Sequence, residues 1–335
     1  MGTLLTVDDL HVTYPARGGV VQAVSGVSFE QAEGEIIGIV GESGCGKSTM
    51  SRAILQSPPP NSGTVDFAGR ELTAMSREAV RRLRPEMQMV FQDPISSLNP
   101  RHTVRHIVME PLNIWRIGSK AERKAKADEM LGAVGLNPAD YAHRRPSELS
   151  GGQCQRVAIA RALVAGARLL VCDEPVSSLD VSLRATVLNL IEDLRAELGI
   201  GVLFIAHDLA VVKSVADRIM VMYLGKVVEI GTSDELFSAP AHPYTQALLA
   251  SIPQADPEQR LEPLSIDGDP PSPLNPPSGC RFRTRCPLVQ DICSSQEPAM
   301  ASLGETHQVA CHFPTVPTGS HRRPEAVAIG VEVSA

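Results

Sequence analysis

One run, Gly41-Glu42-Ser43-Gly44-Cys45-Gly46-Lys47-Ser48, constrains the fold of this chain more than any other. It fits G-x-x-x-x-G-K-S, the pattern of a loop that wraps phosphates. Such a loop needs a buried strand before it and a helix after it. The strand is present as Glu35-Ile36-Ile37-Gly38-Ile39-Val40, a short apolar run of the kind buried in parallel sheets. Gly41 ends it, and Gly44 and Gly46 let consecutive N–H groups turn inward. Lys47 then reaches the β- and γ-phosphates, while Ser48 offers a hydroxyl to Mg²⁺. The helix from Ser48 to Gln56, with Thr49 in its first turn, aims its positive end at the same phosphates. Cys45 adds no needed chemistry and reads as a small filler.

The remaining chain supplies the sheet that such a loop requires. Leu4 to Val12 and Gln22 to Glu30 alternate like strands, and Thr64 to Phe67 follows a turn-rich segment. Residues 101–165 read as mostly helical, with an amphipathic helix over Lys120 to Val134 and another over Gln153 to Val164. Leu169 to Cys172 and Val202 to Ala206 are buried strands joined by a crossover helix over Thr186 to Leu198. That alternation implies a parallel sheet covered by helices, an α/β class. Ile219 to Met222 and Val227 to Ile230 flank Gly225 and predict a hairpin. From about residue 255 proline becomes frequent and periodicity fades, so a loop-rich appendage is expected. The last stretch, 316–335, has the composition of a disordered tail.

At 335 residues the chain can bury one large core plus a smaller module. With 31 basic and 38 acidic side chains its net charge is −7, which argues against nucleic acid as a partner. No apolar run is long enough to span a bilayer, and the N-terminus lacks the apolar core of a signal peptide. The expectation is a soluble protein that reaches any membrane through a partner.

Further site candidates lie at the carboxyl ends of the apolar runs, where ligands bind in parallel sheets. Asp173 follows Leu169-Leu170-Val171-Cys172 and suits a Mg²⁺ shell. Glu174 comes next and can align or deprotonate an attacking water. On Asp-Glu alone, a plain acidic helix start would be an equal reading. His207 ends the next strand within reach of a γ-phosphate, though a lone histidine is more often structural. Gln92 follows Met89-Val90-Phe91 and can reach Mg²⁺ or water. Leu149-Ser150-Gly151-Gly152-Gln153 is a second glycine turn ahead of a helix, a second place for an anion.

In this order, the phosphate loop, Gln92, Leu149–Gln153, Asp173-Glu174, Ser178-Leu179-Asp180 and His207 resemble an ATP-binding cassette (ABC) ATPase over residues 1 to about 250. The resemblance implies the fold: a P-loop NTPase of ABC type with a parallel-sheet core, an antiparallel β subdomain and a helical subdomain at about 94–165. It implies a Walker A loop over Gly41–Ser48, a Q-loop at Gln92, a signature at Ser150, Gly151, Gly152 and Gln153, a D-loop at Asp180 and a switch His207. ATP and Mg²⁺ are the implied cofactors. Ser48, Gln92 and Asp173 would attend the metal, with Glu174, His207 and Lys47 catalytic. Tyr14 resembles the aromatic that stacks on adenine. In that family two cassettes pack head to tail, and one's signature closes over the γ-phosphate on the other.

A narrower likeness lies in Phe91-Gln92-Asp93-Pro94, His242-Pro243-Tyr244-Thr245 and the run Pro271 to Cys280. They resemble the ATPases of oligopeptide/dipeptide importers, most of all the second, F-type subunit. This implies a heterodimer with a sister ATPase, two membrane permeases and an extracytoplasmic peptide-binding protein, at the cytoplasmic face of the membrane. The domains would be 1–255 for the ATPase and 256–315 for the importer's C-terminal extension. A nickel or other small-solute importer of the same branch is the alternative, with a soluble non-transport ABC ATPase further behind. Cys154 departs from the pattern, since a basic residue is common there.

Four of the seven cysteines, Cys280, Cys286, Cys293 and Cys311, crowd the extension with spacing C-x5-C-x6-C-x17-C. Disulfides are disfavoured in a reducing compartment. The spacing fits no C-x2-C zinc finger. Four cysteines can hold a four-iron–four-sulfur (4Fe-4S) cluster, and the resemblance implies one here. Zinc and free buried thiols stay open as alternatives. Arg281, Arg283 and Arg285 would offset the charge of a thiolate-bound centre, or simply form a solvated basic stretch.

Overall fold

The computed structural model of the protein describes residues 2–252, 266 and 268–315. Strands β1 (Thr3–Ala16) and β2 (Gly19–Ala32) form a long antiparallel hairpin that leads into β3 (Ile36–Val40) and helix α1 (Lys47–Ile54). The chain then returns through β4 (Ser62–Phe67) and β5 (Arg70–Glu71), giving a four-stranded sheet in the order β2-β1-β4-β5. Helix α2 (Arg77–Leu83) precedes β6 (Met87–Val90). Next come α3 (Pro94–Ser97), α4 (Val104–Ile114), α5 (Lys120–Ala133), α6 (Pro138–Tyr141) and α7 (Gly151–Leu163), which pack together.

The main sheet is then completed by β7 (Leu169–Asp173), α8 (Val181–Leu198), β8 (Gly201–Ile205), α9 (Leu209–Lys213) and β9 (Arg218–Tyr223). Strand β10 (Lys226–Thr232) folds back antiparallel on β9 at the turn containing Gly225. Short helices α10 (Ser233–Ser238) and α11 (Pro243–Ala250) follow. The extension adds α12 (Ile292–Ser295), β11 (Ala301–Ser302) and β12 (Gln308–Val309). Eight strands result, in the order β11-β12-β10-β9-β3-β8-β7-β6, with β9, β3, β8, β7 and β6 parallel.

The central strands are buried along their whole length because both faces are covered. Alternate side chains divide between two cores. Ile36, Val40, Leu170, Cys172, Val202 and Phe204 join the layer with Val108, Leu131 and Ile159 from the helices. Ile37, Ile39, Leu169, Val171, Leu203 and Ile205 face α1 and the antiparallel sheet through Leu5, Met50 and Phe67. Each such side chain contributes about 1.5–3 kcal/mol on burial. Gly38 has no room for more, since a Cβ there would stand 2.0 Å from Val212.

Two expectations change. The hairpin β1–β2 runs longer than its apolar alternation, because its polar ends still pair across the turn at Ala16 and Gly19. The extension is no mere appendage: β12 pairs with β10 and becomes part of the main sheet. Two-residue strands are too short to show a period. The tail expected over 316–335 and the boundary near residue 255 lie outside the described residues.

Candidate functional site

The phosphate loop leaves β3 at Gly41 and enters α1 through Gly46, which sits at φ 107° as the helix N-cap with no side-chain cap. A Cβ at Gly46 would meet the Ala23 carbonyl oxygen at 2.2 Å, so glycine is required by space as well as by φ. The first N–H groups of α1 thus keep their donors for an anion. Lys47 is 5% exposed; its Nζ donates to the carbonyls of Gly41 (2.6 Å) and Glu42 (3.0 Å). Ser43 and Gly44 are open to solvent, and Thr49 is half-buried in the first turn of α1. Cys45 is buried, and burial raises its thiol pKa against the opposing pull of Lys47.

Strands β7 and β8 bring the acidic and imidazole groups to this loop. Ser48 Oγ donates to Asp173 Oδ1 at 2.6 Å, joining the start of α1 to the end of β7 across 125 residues. Asp173 is buried, which suits a carboxylate that is meant to share a cation. Glu174 follows in the left-handed region at φ 49°, where a non-glycine residue costs roughly 1–3 kcal/mol. A hydrogen bond from its N–H to the Ile205 carbonyl (3.0 Å) helps hold that turn. Its Oε2 accepts from Gln92 Nε2 at 3.0 Å and lies 3.4 Å from His207 Nδ1. Gln92, Glu174 and His207 therefore form one cluster from the ends of β6, β7 and β8. Gln92 contacts Glu174 rather than the Ser48–Asp173 pair.

The second glycine turn is built differently. Ser150 is exposed and caps α7 with a reciprocal box: Gln153 N–H donates to Ser150 Oγ (3.3 Å), and Ser150 N–H donates to Gln153 Oε1 (2.9 Å). Gly151 and Gly152 back onto Leu179 and Leu183, where an added Cβ would come to 3.4 Å. Asp180, fully exposed, caps α8, and its hydrogen bonds from the Leu183 N–H and Ser182 hold its carboxyl below its ordinary pKa. Cys154 points inward: it is fully buried among the helices, so it offers nothing to a partner's surface. Tyr14 lies exposed in the far half of β1, beyond the register of β4.

The four late cysteines do not make a ready cage. Among the described residues no three Cys, His, Asp or Glu side chains stand as a metal-holding group. They are nonetheless electrostatic neighbours: Cys311 feels the charges of Cys286, Cys280 and Cys293. Burial, the main cause, lifts Cys280, takes Cys286 to about 11 and takes Cys311 to about 12. The Arg283 N–H donates to the Cys280 carbonyl at 3.1 Å, and the Cys280 N–H donates to the Cys293 carbonyl at 2.9 Å, which ties two of the four cysteines together through the backbone. Four sulfur donors in one segment are the ligand chemistry that a thiolate-bound centre takes.

Sequence reasoning passed over contacts on Glu42. Its N–H donates to Tyr244 Oη at 2.9 Å, and its carboxylate accepts from Arg285 Nη1 at 2.9 and 3.0 Å. The available signals were the run His242-Pro243-Tyr244 and an arginine beside a cysteine, neither of which names its partner.

Comparison with known proteins agrees with this geometry. The chain matches the ABC transporter family over residues 24–177 and the oligopeptide/dipeptide transporter C-terminal region over 228–293. It is 47% identical over 321 residues to the oligopeptide transport ATP-binding protein AppF of Bacillus subtilis, covering 93% of this chain and 97% of that protein. It is 46% identical over 320 residues to the oligopeptide transport ATP-binding protein OppF of Escherichia coli, covering 92% and 95%. Among solved structures, the ATP-binding cassette MJ0796, a dimer in a post-hydrolysis state bound to ADP and Pi, aligns with a TM-score of 0.63. The identity is 30%, over 69% of this chain and 99% of that one.

Proposed function

This chain belongs to the ABC transporter family, in its oligopeptide/dipeptide branch, and from that premise we propose that it is the ATP-hydrolysing subunit of a membrane peptide importer. The observation that carries the chemistry is the Ser48–Asp173 hydrogen bond beside the Gln92–Glu174–His207 cluster. Residues 41–49 wrap the phosphates, with the Lys47 ammonium moving from loop carbonyls to the β- and γ-oxygens. Ser48 and Asp173 would hold Mg²⁺, with Gln92 nearby, and the ion would supply charge neutralisation at the phosphates. Glu174 orients the attacking water and takes its proton. His207 contacts the γ-phosphate and holds Glu174 in register. Tyr14 stacks on the adenine.

Ser150, Gly151, Gly152 and Gln153 serve the other ATP site of a pair, with Asp180 alongside at the seam. We assign the partner cassette as a sister ATPase, and the assembly as completed by two permeases and an extracytoplasmic peptide-binding protein. No helix among the described residues is long and apolar enough to cross a membrane, so the permeases would supply the span. A groove of about 470 Å³ supports a docked partner: Leu55, Met87, Met89 and Phe91 line it with Arg52, Arg84 and Arg161 at its sides. Phe91 and Ile95 are 43% and 59% exposed beside it. We assign the subunit to the cytoplasmic face of the membrane, as a peripheral component. The division into an ATPase domain over 1–255, its helical part over about 94–165, and an extension over 256–315 is part of the same reading.

Cys280, Cys286, Cys293 and Cys311 would hold a 4Fe-4S cluster, or zinc, as a structural centre for a segment with little apolar content. Iron and acid-labile sulfide measured on anaerobically purified protein test it; zinc alone or no metal ends the cluster assignment. For the main proposal, the subunit is reconstituted with its genomic neighbours in vesicles. Peptide-stimulated ATP hydrolysis is expected, and stimulation by a metal ion or other small solute but not by peptides would refute peptide import.

A further inference from the structure

Glu42 places a carboxylate in a loop that reads as an anion-binding one. A carboxylate beside a triphosphate adds like-charge repulsion, and backbone N–H groups, not side chains, do the wrapping. In this chain the carboxylate is not free. Arg285 Nη1 reaches both of its oxygens, at 3.0 and 2.9 Å, and also donates to Tyr223 Oη at 3.4 Å. The Arg285 side chain is only 8% exposed, so the pair is poorly screened.

The arm that carries this charge is rigid. Tyr223, Tyr244 and Phe282 are fully buried and pack together, Tyr223 edge-on to both others and Tyr244 tilted against Phe282, with ring centroids 4.8, 5.2 and 5.4 Å apart. Tyr244 Oη accepts the Glu42 N–H, so the same cluster fixes the loop's backbone. Tyr244 is fixed in turn by His242 Nδ1, which accepts its N–H at 3.0 Å. Buried Glu229 accepts the His242 and Ala241 N–H groups and pairs with His307 at 2.7 Å. Arg281 ties the same segment to the Leu224 carbonyl and to Gln22.

We propose that Arg285, supplied by the C-terminal extension, is a positioning residue of the ATP site that neutralises Glu42 and turns its carboxylate away from the bound triphosphate. The proposal rests on the reading that residues 41–48 hold ATP. Without the guanidinium, an unpaired carboxylate faces the nucleotide and weakens its binding. Removing both charges restores it.

The test is Mg²⁺–ATP titration of the purified full-length chain, followed by calorimetry. Arg285→Gln should weaken ATP by about 10-fold, the scale of one unscreened charge near a polyanion. Glu42→Gln alone should bind as well as the native chain or better. The double variant should return to within about threefold of native affinity, and Arg285→Lys should stay within the same range. A purely structural role for Arg285 would give no rescue by Glu42→Gln. Native affinity in Arg285→Gln, no rescue in the double variant, or weakened binding in Glu42→Gln each overturns the proposal. A native chain that fails to bind ATP would instead defeat the functional reading beneath it.

Discussion

The two glycine turns of this molecule are both assigned to an anion in the proposed function, yet they are finished in opposite ways. The phosphate loop is held from all sides: by its own lysine, by Asp173 through Ser48, by Tyr244 through the Glu42 N–H, and by Arg285 through the Glu42 carboxylate. The Ser150 turn satisfies itself with a capping box and has its glycines backed by Leu179 and Leu183. The first is a site prepared within one chain. The second is closed on itself and, under the proposed function, serves a nucleotide held by another cassette.

Removing hydrolysis while keeping both turns is the strongest way to probe that contrast. Glu174→Gln should lower turnover by about 10²–10⁴-fold, the range for losing a positioned base. ATP still binds, and a closed pair of cassettes should accumulate on size exclusion; near-native turnover would remove Glu174 from its role. Lys47→Ala should weaken ATP binding itself by about 10²-fold, because the buried ammonium has no substitute at the phosphates. Unchanged affinity there would erase the distinction between the turns.

Ser150→Arg should separate them cleanly. ATP affinity of the isolated chain should stay within about twofold, while hydrolysis by the assembled transporter drops by about 10–10²-fold, as for loss of a group stabilising transition-state charge. A binding defect in the isolated chain would contradict service in trans.

The smallest effect concerns the arm behind the loop. His242 is buried and its pKa is lowered to about 4, chiefly by that burial and against the pull of Glu229. Unfolded, it titrates near its ordinary 6.5, so between these values the unfolded chain binds the extra proton. Stability from this group is complete above pH 6.5 and is lost as pH falls toward 4, by about 1–3 kcal/mol. Chemical denaturation across that window, native against His242→Gln, measures it; an identical pH slope in both would rule His242 out.

Much of this was legible in the sequence wherever chemistry and structure are local. Glu35–Val40 with Gly41, Gly46 and Lys47 announces strand, turn and helix within a short span, and β7 and β8 are read, to within a residue at each end, from Leu169–Cys172 and Val202–Ala206. What stayed hidden is non-local. Tyr244 and Arg285 reach Glu42 from 202 and 243 residues away, and no spacing rule joins residues so distant. The Gln92 contact with Glu174 is of the same kind, as is the pairing of β12, whose two residues carry no period. The cysteine spacing was visible, but whether four thiols close into a shell depends on backbone directions that the spacing does not encode.

Strand β12 has one further effect. Without it, β10 would present a row of bare N–H and C=O groups at the border of the main sheet, a template on which unrelated chains could add strands. The segment that reaches back to touch the phosphate loop thus also occupies, at Glu229 and Ile230, part of the border on which a foreign strand could add.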